Sequence, residues 1–296
     1  MSYLLRSMLF IPAYNEKFLS KAPETDADAI VLDMEDACPL EKEAEGRELI
    51  RRVLTGGMLK GRQVVIRINE LGTESLAADL TLLDCPGILG LIPPKVSSVK
   101  DLQEFDRLVT EKEKKYGIAP NSIKFIPLIE TAGGVLHVNE IAAASVRNIA
   151  VGFGGEDFLD SVWGVHDEPP KAFEVPRAMV VMAARENGLL PIDTPYLDLK
   201  NEEGYRQEEQ KSAAMGFAGH FLLNPRQVPW ANEVFSPTVE EIAHARRIVT
   251  VVAEVRKNGG SIAVLDGKMI GPPMRKRAEK VVALAELIEK NNRHGL

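Results

Sequence analysis

The 296-residue sequence contains only two cysteines, Cys38 and Cys85. So few exclude a disulfide framework. Neither has a partner at metal-ligand spacing, which excludes a structural zinc site as well. A reducing, cytoplasmic setting is expected. No apolar run approaches the roughly 20 residues that a membrane span needs. The opening MSYLLRSMLFIPAYNEK is interrupted by Arg6 and runs into Asn15, Glu16 and Lys17 without a small-residue cleavage signal, so it reads as a first strand. There is no basic excess: 36 Lys and Arg stand against 43 Asp and Glu, a formal charge of -7, which leaves no footprint for a phosphate backbone. The five histidines, His137, His166, His220, His244 and His294, never pair at ligand spacing. The G-x-S-x-G elbow, the H-E-x-x-H pair, the P-loop and the dinucleotide fingerprint are all missing. Chemistry centred on histidine, or on a phosphate cradle, is therefore not indicated.

Apolar material is plentiful, at 45% of residues, and its arrangement is regular. Short runs of buried-strand type fall at 7–12, 29–34, 63–68, 90–93, 124–129, 148–152, 189–192 and 219–223, eight in all. Helical periodicity fills the gaps at 41–54, 99–116, 133–144, 170–187 and 203–215. This alternation predicts parallel strands joined by right-handed crossovers. We expect an α/β fold, a (β/α)8 TIM barrel over residues 1–258; an open doubly wound sheet gives a similar pattern. The barrel is favoured by where polar residues fall. Asp33, Glu35, Arg67, Asn69, Lys95, Glu130 and Asp157 each stand at or just past the end of an apolar run, where barrel enzymes place their chemistry. Beyond the eighth unit lie an amphipathic segment at 238–257, Gly259-Gly260, a strand-like 261–265, a turn at Asp266-Gly267, a stiff turn at Gly271-Pro272-Pro273 and a last helix near 274–291. We expect residues 259–296 to form a C-terminal helical extension that packs over a barrel site, and its apolar residues suggest a homo-oligomer.

Four constellations carry chemistry. LDMED crowds Asp33, Glu35 and Asp36, which repel unless a cation or donors offset them; a helix N-terminal acidic cluster is the ordinary alternative. IPLIET and GFGGEDF place Glu130 and Asp157 at strand ends, and two carboxylates suffice for Mg²⁺ completed by waters and substrate. Either could instead cap the next helix. VVIRIN projects Arg67 from a strand end, where a guanidinium needs an anion; a substrate carboxylate would suit it, and a structural ion pair is the commoner outcome.

Taken in order, RSMLFIPA with the later KA, DAIVLDMEDA, VVIRIN, PPKV, IPLIET, GFGGEDF, NPRQV with FSPT, and DGKMI resemble the citrate lyase beta-subunit and malyl-CoA lyase group of the HpcH/HpaI aldolase superfamily. The likeness covers nearly the whole chain. It implies a barrel forming a homotrimer or homohexamer, with Mg²⁺ held by Glu130 and Asp157. Arg67 would hold the substrate carboxylate, while Glu35 and Asp36 would support metal-bound waters. The implied reaction is retro-Claisen cleavage of a small 3-hydroxy-acyl thioester, malyl, citramalyl or citryl, with coenzyme A rather than an acyl-carrier protein as the carrier.

Two departures bear on the reaction. Where the family commonly has an aspartate after the M-I pair, this chain has Gly271, which cannot transfer a proton; Asp266, another group or water would have to serve. The family's histidine-proline is Asn224-Pro225 here. Two alternatives follow: a CoA-independent class II aldolase releasing pyruvate, and a binding or assembly subunit that has kept the metal site without turnover.

Overall fold

The computed structural model describes residues 3–165, 171–257, 259–260 and 262–294, in two compact units. His166 and the start of the helix expected from Pro170 lie outside the described residues. The larger unit, Leu5–Glu233, carries one parallel sheet of nine strands. These are β1 (Ser7–Pro12), β2 (Ala29–Asp33), β3 (Gln63–Arg67), β4 (Ile88–Ile92), β5 (Lys124–Phe125), β6 (Leu128–Ile129), β7 (Ala150–Phe153), β8 (Leu190–Asp193) and β9 (Gly219–Leu222). All eight expected runs are present. The fifth is split because Pro127 has no N–H to give the ladder. β2 is buried at every position, which explains why it reads as a continuous apolar run rather than an alternating one.

The strands follow the order β5-β4-β3-β2-β1-β9-β8-β7-β6. The expectation of eight strands closed into a ring is thereby corrected. The sheet curls as a barrel wall does, but its ladder is open between β5 and β6, the two halves of the run that Pro127 interrupts. Two glycines permit close strand approach. A Cβ on Gly90 would stand 2.4 Å from the Lys124 carbonyl oxygen, and one on Gly219 would stand 1.8 Å from that of Leu5.

Helices cover the sheet where the periodicity places them. Val99–Tyr116 is bounded by its own sequence: the Ser98 side chain caps the first turn by accepting from the Asp101 N–H, and Gly117, at φ 68°, ends it. The segment expected as one helix at 133–144 is two, Ala132–Leu136 and Val138–Ala143, with His137 at the joint.

The second unit comprises residues 1–4 and Val234–Leu296. Here the helices Val239–Lys257 and Pro272–His294 pack together around Ala245, Ile248, Ala263, Ile270 and Ala278. The first of these helices therefore groups with the C-terminal segment, not with the strands before it. The strand-like stretch near 261–265 becomes a hairpin, β10 (Ala263–Leu265) against β11 (Lys268–Ile270). Asp266 and Gly267 both adopt positive φ at its tip, as a two-residue hairpin turn requires. The stiff turn expected at Gly271–Pro273 is instead the start of the last helix. Proline in a first helical turn gives up only an N–H that would have no helical partner anyway. Among the described residues, no helix is long and apolar enough to cross a membrane.

Candidate active site

The parallel register brings the site together. Asp33 on β2 stands opposite Arg67 on β3, at matching ends of neighbouring strands, so their side chains leave the sheet on the same face. Arg67 Nε and Nη2 donate to the two Asp33 oxygens at 2.7 and 2.5 Å, and Nη1 donates to Asp36 at 2.7 Å. Nη1 also lies 3.1 Å from Glu35. The buried Asp33 is further held by the N–H groups of Glu35 and Ala37. Arg67 thus has the structural ion pair considered as its ordinary alternative. One of its partners is loose, however, because the Asp36 side chain is 54% exposed while that of Asp33 is 1% exposed. Burial works against the Arg67 charge, and the surrounding carboxylates more than restore it, Asp33 foremost.

Across the opening, Glu130 follows β6 and is 1% exposed. Its Oε1 accepts from the Lys95 N–H at 2.7 Å. The other oxygen lies where a Cβ on Gly154 would stand, 2.5 Å away, so glycine at 154 makes the space that this carboxylate occupies. Gly154 N–H bonds the Ile129 carbonyl at 3.0 Å, and the Gly155 N–H bonds Thr194 Oγ1 at 2.8 Å. Those two anchors fix the start of the short helix Gly155–Ser161, whose first turn presents Glu156 and Asp157.

Lys95 is the functional candidate that sequence reasoning noted at a strand end and left without a role. It follows β4 in the PPKV string and adopts φ 50°, a left-handed conformation unusual for a residue with a side chain. Its N–H serves Glu130, its ammonium pairs with Glu70, and Nζ stands 3.5 Å from Glu35. Thr194 was missed altogether. Its only sequence signal is a hydroxyl directly after the LPID strand.

One cavity of about 790 Å³ opens at the C-terminal ends of the strands, with Asp33 and Thr194 in its lining and Lys95 outside it. Arg67, Asp36, Glu130 and Asp157 all line it, whereas Glu35, in contact with Arg67, does not. The carboxylates hold one another's charge back. Burial first, and then Asp36 and Asp33 against the opposing pull of Arg67 and Lys95, raise Glu35 to about 7. Burial, followed by Glu35 and Asp157, pushes Glu130 well above the carboxylate range. Asp157 is raised by burial and then by Asp36. Both Glu35 oxygens are buried and make no hydrogen bond beside their ion pairs with Arg67 and Lys95. Such a cluster is short of positive charge, and its oxygen donors suit a hard divalent cation. Among the described residues, no three His, Cys, Asp or Glu side chains gather as a ready metal cage. A cation here would therefore use one or two carboxylates and complete its shell with water and substrate, as Mg²⁺ commonly does.

Strand-end carboxylates and an arginine thus share one cavity of an α/β protein, and the comparisons with known proteins give its class. Residues 6–225 match the family model HpcH/HpaI aldolase/citrate lyase. The chain is 33% identical to citrate lyase subunit beta of Haemophilus influenzae over 285 residues, covering 96% of this chain and 97% of that one. It is 32% identical to L-malyl-CoA/beta-methylmalyl-CoA lyase of Cereibacter sphaeroides over 304 aligned positions, covering 96% and 95%. The crystal structure of CitE from Mycobacterium tuberculosis with magnesium, acetoacetate and coenzyme A superposes with a TM-score of 0.75 at 28% identity, covering 95% of this chain and 97% of that one. The protein belongs to the HpcH/HpaI aldolase/citrate lyase family, a family of carbon–carbon lyases.

Proposed function

We propose that this chain is a Mg²⁺-dependent lyase that cleaves a small 3-hydroxy-acyl-CoA to an acyl-CoA and a 2-oxo acid. The observation that carries the reading is the single cavity in which Arg67 faces Glu130 and Asp157. Glu130 and Asp157 would hold the ion. When bound, Mg²⁺ supplies Lewis-acid polarisation and a template for the hydroxy-acid oxygens. Arg67 binds the substrate carboxylate through Nη1 as the exposed Asp36 gives way, while Asp33 keeps the guanidinium aimed. Glu35 and Asp36 order the water around the site. In the reaction the hydroxyl loses its proton and C3 becomes the oxo-acid carbonyl. The C2–C3 bond breaks, its electron pair passes into the thioester as an enolate, and C2 then takes a proton to give the acyl-CoA. Asp266, considered as a replacement for the family's C-terminal acid, is paired with Arg247 at 2.5 Å in the hairpin turn, which favours water as the proton source.

The same reading takes the chain as a homotrimer or homohexamer. The exposed face of the hairpin, with Val264 and Met269 paired across it, suits another subunit.

The decisive measurement is acetyl-CoA release from malyl-, citramalyl- and citryl-CoA with and without Mg²⁺. Release should require the metal and fall by more than about 1,000-fold in Glu130→Ala and in Asp157→Ala. If wild-type protein releases nothing from any of the three, the assigned reaction is wrong.

A further inference from the structure

Arg177, Asp193 and Thr194 meet at the end of β8. Asp193 is the last residue of that strand and is fully buried. Its Oδ2 accepts from Arg177 Nη2, and its Oδ1 accepts from the Thr194 N–H at 2.9 Å. Arg177 comes from the helix Glu174–Glu186, and its Nη1 also donates to Glu208 on the helix Glu202–Met215. Its guanidinium sits 5.6 Å from the centroid of the Phe217 ring. Neither Arg177 nor Asp193 lines the active-site cavity, whereas Thr194 does. Taking such a pair out of water costs free energy, so a buried ion pair is weak evidence of stabilisation. What this one does geometrically is hold the Thr194 backbone.

The backbone pairing of β7 with β8 runs as far as Gly152 and Ile192. Past that point a side chain continues the link, as Thr194 Oγ1 accepts from the Gly155 N–H at 2.8 Å. Threonine is stiff about χ1, so with its backbone held the hydroxyl has little freedom to move. Gly155 is seated closely against it: a Cβ there would stand 2.6 Å from the Phe173 ring and 2.8 Å from Thr194 Oγ1. The helix Gly155–Ser161 has seven residues, too few to stand by themselves, so its position comes from its ends. At the far end Ser161 Oγ accepts from the Ala132 N–H at 2.8 Å, two residues after Glu130. Asp157 lies in the first turn, the one that Thr194 anchors. We propose that Thr194, locked by the Arg177–Asp193 pair, is a positioning residue for the metal: it sets where Asp157 stands relative to Glu130, and so sets the affinity for the ion. The proposal rests on the lyase reading above, in which those two carboxylates hold Mg²⁺. Thr194 acts through the Gly155 N–H rather than on the ion itself.

The test uses the full chain with Mn²⁺ as the probe ion, free metal being read by electron paramagnetic resonance. Thr194→Val keeps the shape and removes the acceptor. It should weaken Mn²⁺ binding at least about tenfold, the loss typical when a group that orients a metal ligand is removed. Thr194→Ser keeps the hydroxyl and should stay within about threefold of wild type. Thr194→Ala should fall in the same direction as the valine variant, and it carries the test if circular dichroism shows that the valine variant does not fold. Arg177→Lys gives up the fork that spans Asp193 and Glu208. It should weaken binding about threefold alone and add nothing to the loss in Thr194→Val. A Thr194→Val protein that melts lower yet binds Mn²⁺ as wild type does overturns the proposal and leaves the lyase reading standing. Equal losses in the serine and valine variants overturn the role of the hydroxyl. An additive loss from Arg177→Lys, or none at all, removes the ion pair from the account. Wild-type protein that binds no Mn²⁺, or binds it equally well after Glu130→Ala and Asp157→Ala, overturns the metal site and the proposal with it.

Discussion

Arg67 and Lys95 are the two cations that hold the carboxylates of the site in place, and they do so by different means. Arg67 uses a planar fork against Asp33, a geometry lysine cannot copy. Arg67→Lys should lower kcat/KM on the order of 100-fold while the protein stays folded, the loss expected when a charged, paired donor is removed. Steady-state kinetics beside a thermal melt would check it; an unchanged kcat/KM would mean that Arg67 serves the fold alone. Lys95 works through its backbone, whose left-handed conformation aims an N–H at Glu130. Glycine takes that conformation without a steric cost of about 1 kcal/mol. Lys95→Gly should therefore melt no lower than wild type, yet lose at least about tenfold in turnover as the ammonium facing Glu35 and Glu70 disappears. A variant that loses stability and keeps its turnover would contradict this account. That Arg67, Glu130 and Asp157 would line one cavity was legible in the sequence because each ends an apolar run, and strand ends share one face of a parallel sheet. Thr194 was not legible, because its part is to accept a single backbone N–H from Gly155, and one hydroxyl after a strand carries no pattern.

At the scale of elements, the expected strands were right because fully buried parallel strands leave unbroken apolar runs, and helix 99–116 because Ser98 and Gly117 cap it. What the runs could not reveal was pairing. The split at Pro127 and the partner of the short strand Lys268–Ile270 depend on hydrogen bonds between distant or very short segments. Gly219→Ala tests one such dependence. Its Cβ would strike the Leu5 carbonyl where β9 meets β1, so a loss of about 2 kcal/mol or more is expected in urea unfolding. The helix Glu202–Met215 offers a test by pH. Buried Glu209, which accepts from the Tyr205 hydroxyl, is raised by burial to about 8. Its contribution to stability is full below its ordinary value of 4.5 and is lost as pH rises through about 8. Buried His220, lowered to about 4 by burial, acts in the opposite direction, but only below its ordinary 6.5. Between about pH 6.5 and about pH 8 Glu209 therefore acts without opposition from His220, and Glu209→Gln should flatten the wild-type decline by up to about 1.4 kcal/mol per pH unit. Parallel declines in the two proteins across that window would refute the assignment.

For the whole molecule, sedimentation equilibrium should give a mass of three or six 32.5 kDa chains, and a monomer at micromolar concentration would remove the oligomer from the reading. The break at Pro127 also bears on how the sheet breathes. β2 is paired along its whole length with β1 on one side and β3 on the other, so its amides open only when much of the unit opens. β5 and β6 are two residues each and share their bonding between neighbours on either side of an imino acid. Deuterium should therefore enter at Ile126 and Leu128 well before it enters at Ile30 and Leu32. That order would make the Pro127 seam the hinge of native-state opening, three residues before Glu130, on whose position the proposed metal site depends.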